Sequence, residues 1–409
     1  MSDKPAPRSS RELVLTALRE RGPMSRAELA RYARVAPSTI SAVVQDLVAD
    51  GVIVGSDGPP ATQRAQPGRP AGWLTLNPDA GAVAGLEVGF DFLRVLLCDL
   101  AHNVIGSGRC DLPDGHTSAV GLPAARRLTE RALAAAGLTH SALIGAGVSL
   151  PGPVHHHPDV VKPSAILPGW PGVTSDDFAA ALGVPVSIDN DANLAALGEH
   201  IWGAGQGCAD CITVKFHYGI GSGLFVNGTL VRGIGGAGEI GHTCVDQRGP
   251  LCRCGKRGCL DTYAAIPALL DALRPQHGAL TLPGLMTLLA DRDPGAIRVV
   301  SDAAGLVGEH LAAACNLLAP QRVVLVGAMA EAGEIVLAPI RAALHRNIAP
   351  NQPPELVLGA LGTRHTALGA VALALGESDW LPGAPARVGQ PGGWPGASTD
   401  PFVRPEAPS

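Results

Sequence analysis

The chain has 409 residues, of which 46 % are hydrophobic and only 16 % charged, with a formal net charge of −5 at pH 7. That is enough apolar matter for sizeable cores and too much chain for a single one, so two or three domains are expected. No apolar run approaches the roughly 20 residues that a membrane-spanning helix needs, and the opening stretch MSDKPAPRSSRELV lacks the apolar segment of a secretory leader, so a cytoplasmic protein without membrane contact is expected.

Charge is unevenly spread. Residues 1–76 carry 10 Lys and Arg against 7 Asp and Glu, a balance of +3, whereas the remainder carries 21 against 29, a balance of −8. A mildly basic front on an acidic body points to a polyanion met by the front alone. The same boundaries divide the chain into a first domain (1–76), a body (77–376) and a Pro/Gly-rich tail (377–409) without apolar periodicity, which is expected to be disordered.

Three short helices are predicted in the first domain. The first spans roughly Ser10–Arg21 and stops at Gly22-Pro23. The second opens with Ser25-x-x-Glu28, a capping box. The third begins at Ala36-Pro37, with proline at the first helical position, where its missing N–H is harmless. Its Ile40, Val43, Val44, Leu47 and Val48 follow the i, i+3, i+4, i+7, i+8 stripe of a packed helix, and Gly51 ends it. The other face offers Ser38, Thr39, Ser41 and Gln45. The stretch VIV, a polar loop over Gly55–Arg69 and WLTLNP then read as a hairpin wing. Helices followed by a wing form the pattern of a winged helix-turn-helix, whose third helix enters the major groove of double-stranded DNA. Short hydroxyl side chains at the start of that helix suit phosphate and base-edge contacts. Arg64 and Arg69 on the wing suit a narrow, negative minor groove. The alternative is a protein-interaction module with the same pattern. Because the positive excess is small, useful DNA affinity calls for a homodimer, or a homotetramer, spanning two half-sites.

From about Ala82 the apolar period becomes two. AVAGLEVGFDFLRVLLCDLAHNVIGSGRCDL reads as three consecutive strands, followed by a helix over about Leu122–Ala136 and a buried strand, ALIGAGVSL, ending in Pro151-Gly152-Pro153. The pattern returns in CITVKFHYGIGSGLFVNGTLVRG, with a hairpin turn at Asn227-Gly228, and in the later strand RVVLVGAM. Two such halves suggest a duplicated α/β lobe with a cleft between.

Nine cysteines in a chain of this length and compartment are not a disulfide framework. Cys98, Cys110 and Cys315 are expected to be small buried hydrophobes. The Cys208-x-x-Cys211 pair lies in a loop entering a strand and lacks the helix N-terminus that would activate a thiol. The run His155–His157 is expected to be a solvated loop.

Four stretches together, GEIGHTCVDQRGPLCRCGKRGCLD, IDNDANLAALGE, VSLPGPV and LPGW, resemble the ROK family of sugar kinases and sugar-responsive repressors, over roughly residues 12–376. The resemblance implies an actin/hexokinase-like (ribonuclease H-like) α/β body. A winged helix-turn-helix in front of it is the arrangement of the family's transcriptional regulators, since its kinases generally lack that domain. His242, Cys252, Cys254 and Cys259, one imidazole and three thiols in 18 residues, match a closed Cys3His zinc site. Four protein ligands leave no open position, so the Zn2+ would be structural, with Gly255 and Gly258 turning the chain and Arg253, Lys256 and Arg257 offsetting the thiolate charge. By resemblance, Asn190, Asp191, Glu239 and His242 contact the sugar, with Asp261 standing where the family has a Glu, and Gly152 a weaker candidate. Asp189 reads as a structural strand-end residue, and Ile166 stands where the family often has a polar Asn.

In the kinases of this family the residue at Asp191 is the general base, and phosphoryl transfer needs a cradle for the ATP phosphates. The family's first phosphate loop, D-x-G-G-T-K, is here EVGFDF (Glu87–Phe92), with bulky Phe90 and Phe92 and a repelling Asp91. The second, G-T-G-I-G, carries Tyr218 in place of threonine. The expected function is therefore a sugar-responsive DNA-binding regulator, most often a repressor of carbohydrate-metabolism genes, with a monosaccharide or sugar phosphate as effector and no enzymatic activity. The alternative is an ATP-dependent, glucokinase-like sugar kinase that retains a DNA-binding domain.

Overall fold

A computed structural model describes residues 10–56, 72–156, 159–161, 167–349 and 353–377. Arg64 and Arg69 of the expected wing, together with His157, Ile166 and the tail after Glu377, lie outside the described residues.

The front of the chain folds as Ser10–Arg21 (α1), Met24–Ser25 (β1), Arg26–Ala33 (α2), Pro37–Ala49 (α3), Ile53–Ser56 (β2) and Trp73–Leu76 (β3). Local chemistry sets the helix boundaries. Ser25 Oγ accepts from Glu28 N at 3.3 Å, and the Glu28 carboxylate accepts from Ser25 N at 2.8 Å, so the expected capping box closes in both directions. Pro37 opens α3. Ile40, Val44 and Leu47 of α3 are buried against α1 and α2. Val48 departs from the expected stripe and is 45 % exposed. At 3.6 residues per turn it lies about 80° round the helix from Ile40, at the edge of the arc that faces the other helices. The strands form one antiparallel sheet in the order β1-β3-β2, with Leu74 between Met24 and Gly55.

The body begins with Ala82–Val88 (β4), Phe92–Asp99 (β5), Val104–Asp111 (β6), Ser118–Ala135 (α4) and Leu143–Leu150 (β7). A small hairpin, Val154–His156 (β8) with Asp159–Val161 (β9), precedes Ser175–Leu182 (α5), Val186–Asn190 (β10) and Asp191–Trp202 (α6). Two expectations are corrected here. Helix α4 starts four residues before Leu122 and carries Pro123 inside it. His155 and His156 belong to a paired strand rather than a loop.

The second lobe contains Cys211–Phe216 (β11), Ile220–Val226 (β12), Thr229–Val231 (β13), Asp261–Ala264 (α7), Ile266–His277 (α8), Leu282–Ala290 (α9), Pro294–Leu318 (α10), Arg322–Val326 (β14), Glu334–Asn347 (α11), Glu355–Leu358 (β15) and His365–Glu377 (α12). The sheets run β10-β7-β4-β5-β6 and β13-β12-β11-β14-β15. In each, an antiparallel meander of three strands is extended from its first strand by two parallel ones. The lobe is thus duplicated, and the fold is the two-lobed α/β architecture expected.

Two helices tie the lobes together. Helix α6 leaves the last strand of the first lobe and packs on β11 and β12 of the second. Helix α12 follows the last strand of the second lobe and packs on β4 and β7 of the first. They cross at close range, because a Cβ on Gly369 would run into the Leu194 carbonyl and one on Gly198 into the His365 carbonyl. One continuous apolar cluster also joins the front segment to the body, from Leu15, Leu47 and Leu76 through Leu96 and Leu100 to Leu368, Val371 and Leu375 of α12.

The crossing gives a signed prediction. Gly→Ala within an ordinary helix stabilises by about 1 kcal/mol, and Gly305→Ala in α10, with open space at that Cβ, is expected to raise the thermal unfolding midpoint slightly. Gly369→Ala is expected to lower it, because overpacking against backbone costs about 1–3 kcal/mol. Equal shifts in the two variants, measured by calorimetry, would show that the crossing is not tightly packed.

Candidate functional site

A cavity of about 990 Å3 opens between the lobes. Asn190, Asp191, Gly152, Glu239, His242 and Asp261 all line it, brought together from four separate chain segments. Their local bonding differs. Asn190 caps α6, its Oδ1 accepting from the N–H groups of Ala192 and Asn193 at 2.8 and 3.2 Å, while its Nδ2 donates to the Gly152 carbonyl at 2.9 Å. Gly152 adopts φ +102°, a turn that favours glycine. Asp189, the neighbouring residue, is fully buried and bonded to Asn193 and Arg232 at 3.0 and 2.7 Å, the structural strand-end role expected of it.

Asp261 is more tightly committed than a free pocket carboxylate. Its Oδ1 accepts from Ile220 N at 2.9 Å and its Oδ2 from Arg253 Nη2 at 3.0 Å. The same Arg253 nitrogen donates to the Tyr218 carbonyl at 2.9 Å. Arg253 thus also ties the second glycine turn to Asp261, beyond the charge it brings to the thiol loop. Glu239 and His242 sit on one short turn, Oε2 to Nε2 3.8 Å. Burial, then the carboxylates of Asp191 and Asp261, push Glu239 up to about 7, against the pull of Arg253.

Lys215 is the cavity residue that the sequence reading missed. It projects from β11 and places Nζ 2.8 Å from Asp191 Oδ2 and 3.8 Å from Glu87 Oε1. Glu87 in turn pairs with Arg94 at 2.6 Å, and Arg94 also donates to the Thr363 carbonyl. Burial works against the Lys215 ammonium, but Asp191 and Glu87 outweigh it and raise its pKa above the ordinary lysine value. His217, beside it, is pushed down to about 4 by burial and then by the Lys215 charge. The only sequence signal was a lysine inside an otherwise apolar strand, CITVKF.

The two turns that correspond to phosphate loops face each other across the cleft. Phe90 of the first meets Tyr218 of the second, ring centroids 5.4 Å apart. Phe92 lies against the guanidinium groups of Arg94 and Arg109, at 5.2 and 4.4 Å. Aromatic side chains from both lobes therefore meet between the glycine turns and line the cavity there.

Beside the cavity, the ligand atoms of His242, Cys252, Cys254 and Cys259 lie within 4.8 Å of one another. Cys254 Sγ is 3.6 Å from Cys259 Sγ, and Cys252 Sγ is 3.7 Å from His242 Nδ1. Sulfur atoms about 2.3 Å from one tetrahedral Zn2+ lie about 3.8 Å apart, so the donor set fits that ion. Burial and the adjacent Cys254 and Cys252 thiols push Cys259 up to about 12, a crowding that a cation relieves. The Nδ1 atom of His242 faces the thiols and Nε2 faces Glu239, so one ring joins metal site and cavity. Gly258 adopts φ +66°, and a Cβ there would meet the Asp246 carbonyl, so the loop closes only with glycine. Of the remaining cysteines, Cys244 is exposed and Cys110 only half-buried, which corrects the expectation of a buried Cys110. Cys98, Cys211 and Cys315 are buried, and burial raises all three thiol pKa values.

Residues 83–377 match the ROK family. The chain belongs to the ROK family. It is 27 % identical over 373 residues to the xylose repressor of Bacillus spizizenii, an alignment covering 90 % of this chain and 94 % of that protein. The crystal structure of a ROK family transcriptional regulator, a homolog of the E. coli MLC protein, superposes with a TM-score of 0.74 at 24 % identity, covering 88 % of this chain and 94 % of that one. A ROK family glucokinase from Streptomyces griseus, solved with glucose and AMPPNP, gives 0.65 at 26 % identity, covering 72 % of this chain but 99 % of its own.

The candidate metal centre of this ROK protein is directly testable. Purified protein is expected to carry about one zinc per chain by elemental analysis, and Cys254→Ser is expected to carry close to none and to unfold at a lower temperature. Full zinc content in that variant would remove Cys254 from the ligand set.

Proposed function

We propose that this ROK protein is a sugar-responsive DNA-binding repressor of carbohydrate-metabolism genes, with a winged helix-turn-helix front, a sugar-binding cleft and a structural zinc loop. The observation that carries this reading is the extent of the likenesses. The glucokinase structure is nearly exhausted by 72 % of this chain, whereas the xylose repressor runs along 90 % of it. The family match over residues 83–377 likewise leaves the three-helix, three-stranded front outside it. On its third helix Ser38, Thr39, Ser41 and Gln45 are all exposed, and this face would enter the major groove. Ser41 Oγ already donates to the Pro37 carbonyl at 2.8 Å, which leaves Ser38, Thr39 and Gln45 as the stronger base and phosphate readers.

Three features of the cleft support binding without phosphoryl transfer. The Phe90–Tyr218 pair occupies the space between the glycine turns. Asp91 adds negative charge where a triphosphate would lie. Lys215 engages an oxygen of Asp191, the residue at the position of the kinase base. Asn190, Asp191, Glu239 and His242 then serve as hydroxyl partners for the effector, while Asp261 and Gly152 shape the wall.

The link from cleft to DNA runs along α12. Its first turn carries His365 and Thr366, and Lys215 Nζ lies 3.5 Å from Thr366 Oγ1. Its later turns share an apolar cluster with the front domain. An effector that favours one arrangement of the lobes over another moves α12, and with it the spacing of two front domains in a homodimer or a homotetramer.

Two variants separate the parts. On DNA from upstream of the protein's own gene, at fixed salt, Asp191→Ala is expected to keep operator affinity and lose the response to sugar. Gln45→Ala is expected to weaken operator binding by about 1–3 kcal/mol, roughly 5- to 150-fold, with effector binding intact. A normal sugar response in the first variant would displace the pocket, and unaltered DNA binding in the second would displace the recognition helix.

A further inference from the structure

We infer that the cleft selects an uncharged sugar and rejects the phosphate ester of the same sugar. This rests on the reading of the cleft as the effector site and narrows the chemical class of its ligand.

The inference comes from how the cavity's charges are disposed. Four cationic side chains line it, Arg94, Arg109, Lys215 and Arg253. Each is already paired: Arg94 with Glu87 at 2.6 Å, Lys215 with Asp191 at 2.8 Å, Arg253 with Asp261 at 3.0 Å and Arg109 with Asp111 at 3.4 Å. Against them stand six carboxyl groups that line the same cavity, Glu87, Asp191, Glu199, Glu239, Asp261 and Glu331, of which Glu239, pushed up to about 7, carries only part of a charge at neutral pH. The lining histidines His217 and His365 add no charge at neutral pH, because burial and then Lys215 hold both well below the ordinary imidazole value.

A phosphate ester brings about 1.5 to 2 negative charges at pH 7. To bind it on Arg94, Lys215 or Arg253, the cleft would have to draw that cation from a carboxylate that is largely buried, which leaves the carboxylate uncompensated and is strongly unfavourable; only Arg109, whose partner Asp111 is exposed, is held by a weak surface pair. Backbone donors offer no substitute. The N-terminus of α6 is taken by the Asn190 side chain and by Asp191 itself. The first glycine turn is covered by Phe92, whose ring a Cβ on Gly89 would strike, and the second faces the Phe90–Tyr218 contact. A neutral sugar has the opposite fit. Its hydroxyls donate to carboxylate oxygens that have acceptor capacity left after their ion pairs, and none of those pairs has to break.

The test uses the full-length, zinc-loaded protein and isothermal titration with D-glucose, D-mannose and N-acetyl-D-glucosamine, each beside its 6-phosphate. At least one neutral sugar is expected to bind, with its phosphate about tenfold or more weaker. A phosphate that binds as tightly as its parent sugar, or more tightly, overturns the inference. Binding by neither class removes the sugar-cleft reading itself, and the inference falls with it. A second measurement checks the cause. Glu87→Gln removes one negative charge beside Arg94 and Lys215, and is expected to narrow the preference for neutral sugar by about tenfold. An unchanged preference in a Glu87→Gln protein that melts like the parent would show that the paired cations do not set it.

Discussion

The Lys215 ammonium holds the centre of the molecule. It is carried by a strand of the second lobe, yet its partners Asp191 and Glu87 lie at the start of α6 and the end of β4. Thr366, at the start of α12, is also beside it. Removing a lysine from water is costly, and two carboxylates are what keep it charged there. The close crossing of α6 and α12 at Gly198 and Gly369 goes with the placement of Asp191 and Thr366, at the starts of those helices, beside Lys215, while Glu87 reaches it from β4. Lobe contact, cleft chemistry and the path toward the front domain therefore all depend on one ion-paired cluster.

The zinc loop serves the same cleft from its other side. His242 presents one ring nitrogen to the thiols and the other to Glu239. Arg253, between the cysteines Cys252 and Cys254, reaches out of the loop to Asp261 and the Tyr218 carbonyl. An ion held by these four ligands would fix side chains that line the cleft. Loss of the ion would loosen the pocket wall before it disturbed the sheets, since the loop contributes only isolated bridges such as Cys244 with Cys259 to the strand network.

Aromatic rings at the two glycine turns would suit a binding protein for a simple physical reason. Phosphoryl transfer requires backbone amides and metal-bound phosphates at close approach, and rings at Phe90 and Tyr218 would crowd that approach while they add contact between the lobes. The free energy that a kinase directs to its transition state is then available to distinguish one lobe arrangement from another, which is what a regulator needs.

The parts legible in the sequence were those set by short-range chemistry. The capping box at Ser25, the proline at the start of α3, the meander strands and the Cys3His spacing all involve residues a few positions apart, so their geometry follows from local backbone and ligand rules. The duplication of the lobe was legible for the same reason, as a period repeated twice. Only the tertiary structure decided what happens across the cleft. Lys215 and Asp191 are 24 positions apart, and Arg94 bonds to a carbonyl 269 positions away. The sequence could place Asp261 and Arg253 near the zinc loop, but not turn them toward Ile220 and Tyr218. Charges buried between lobes are paired by whatever the packing of distant helices brings within reach, and the spacing of residues along the chain carries no record of that.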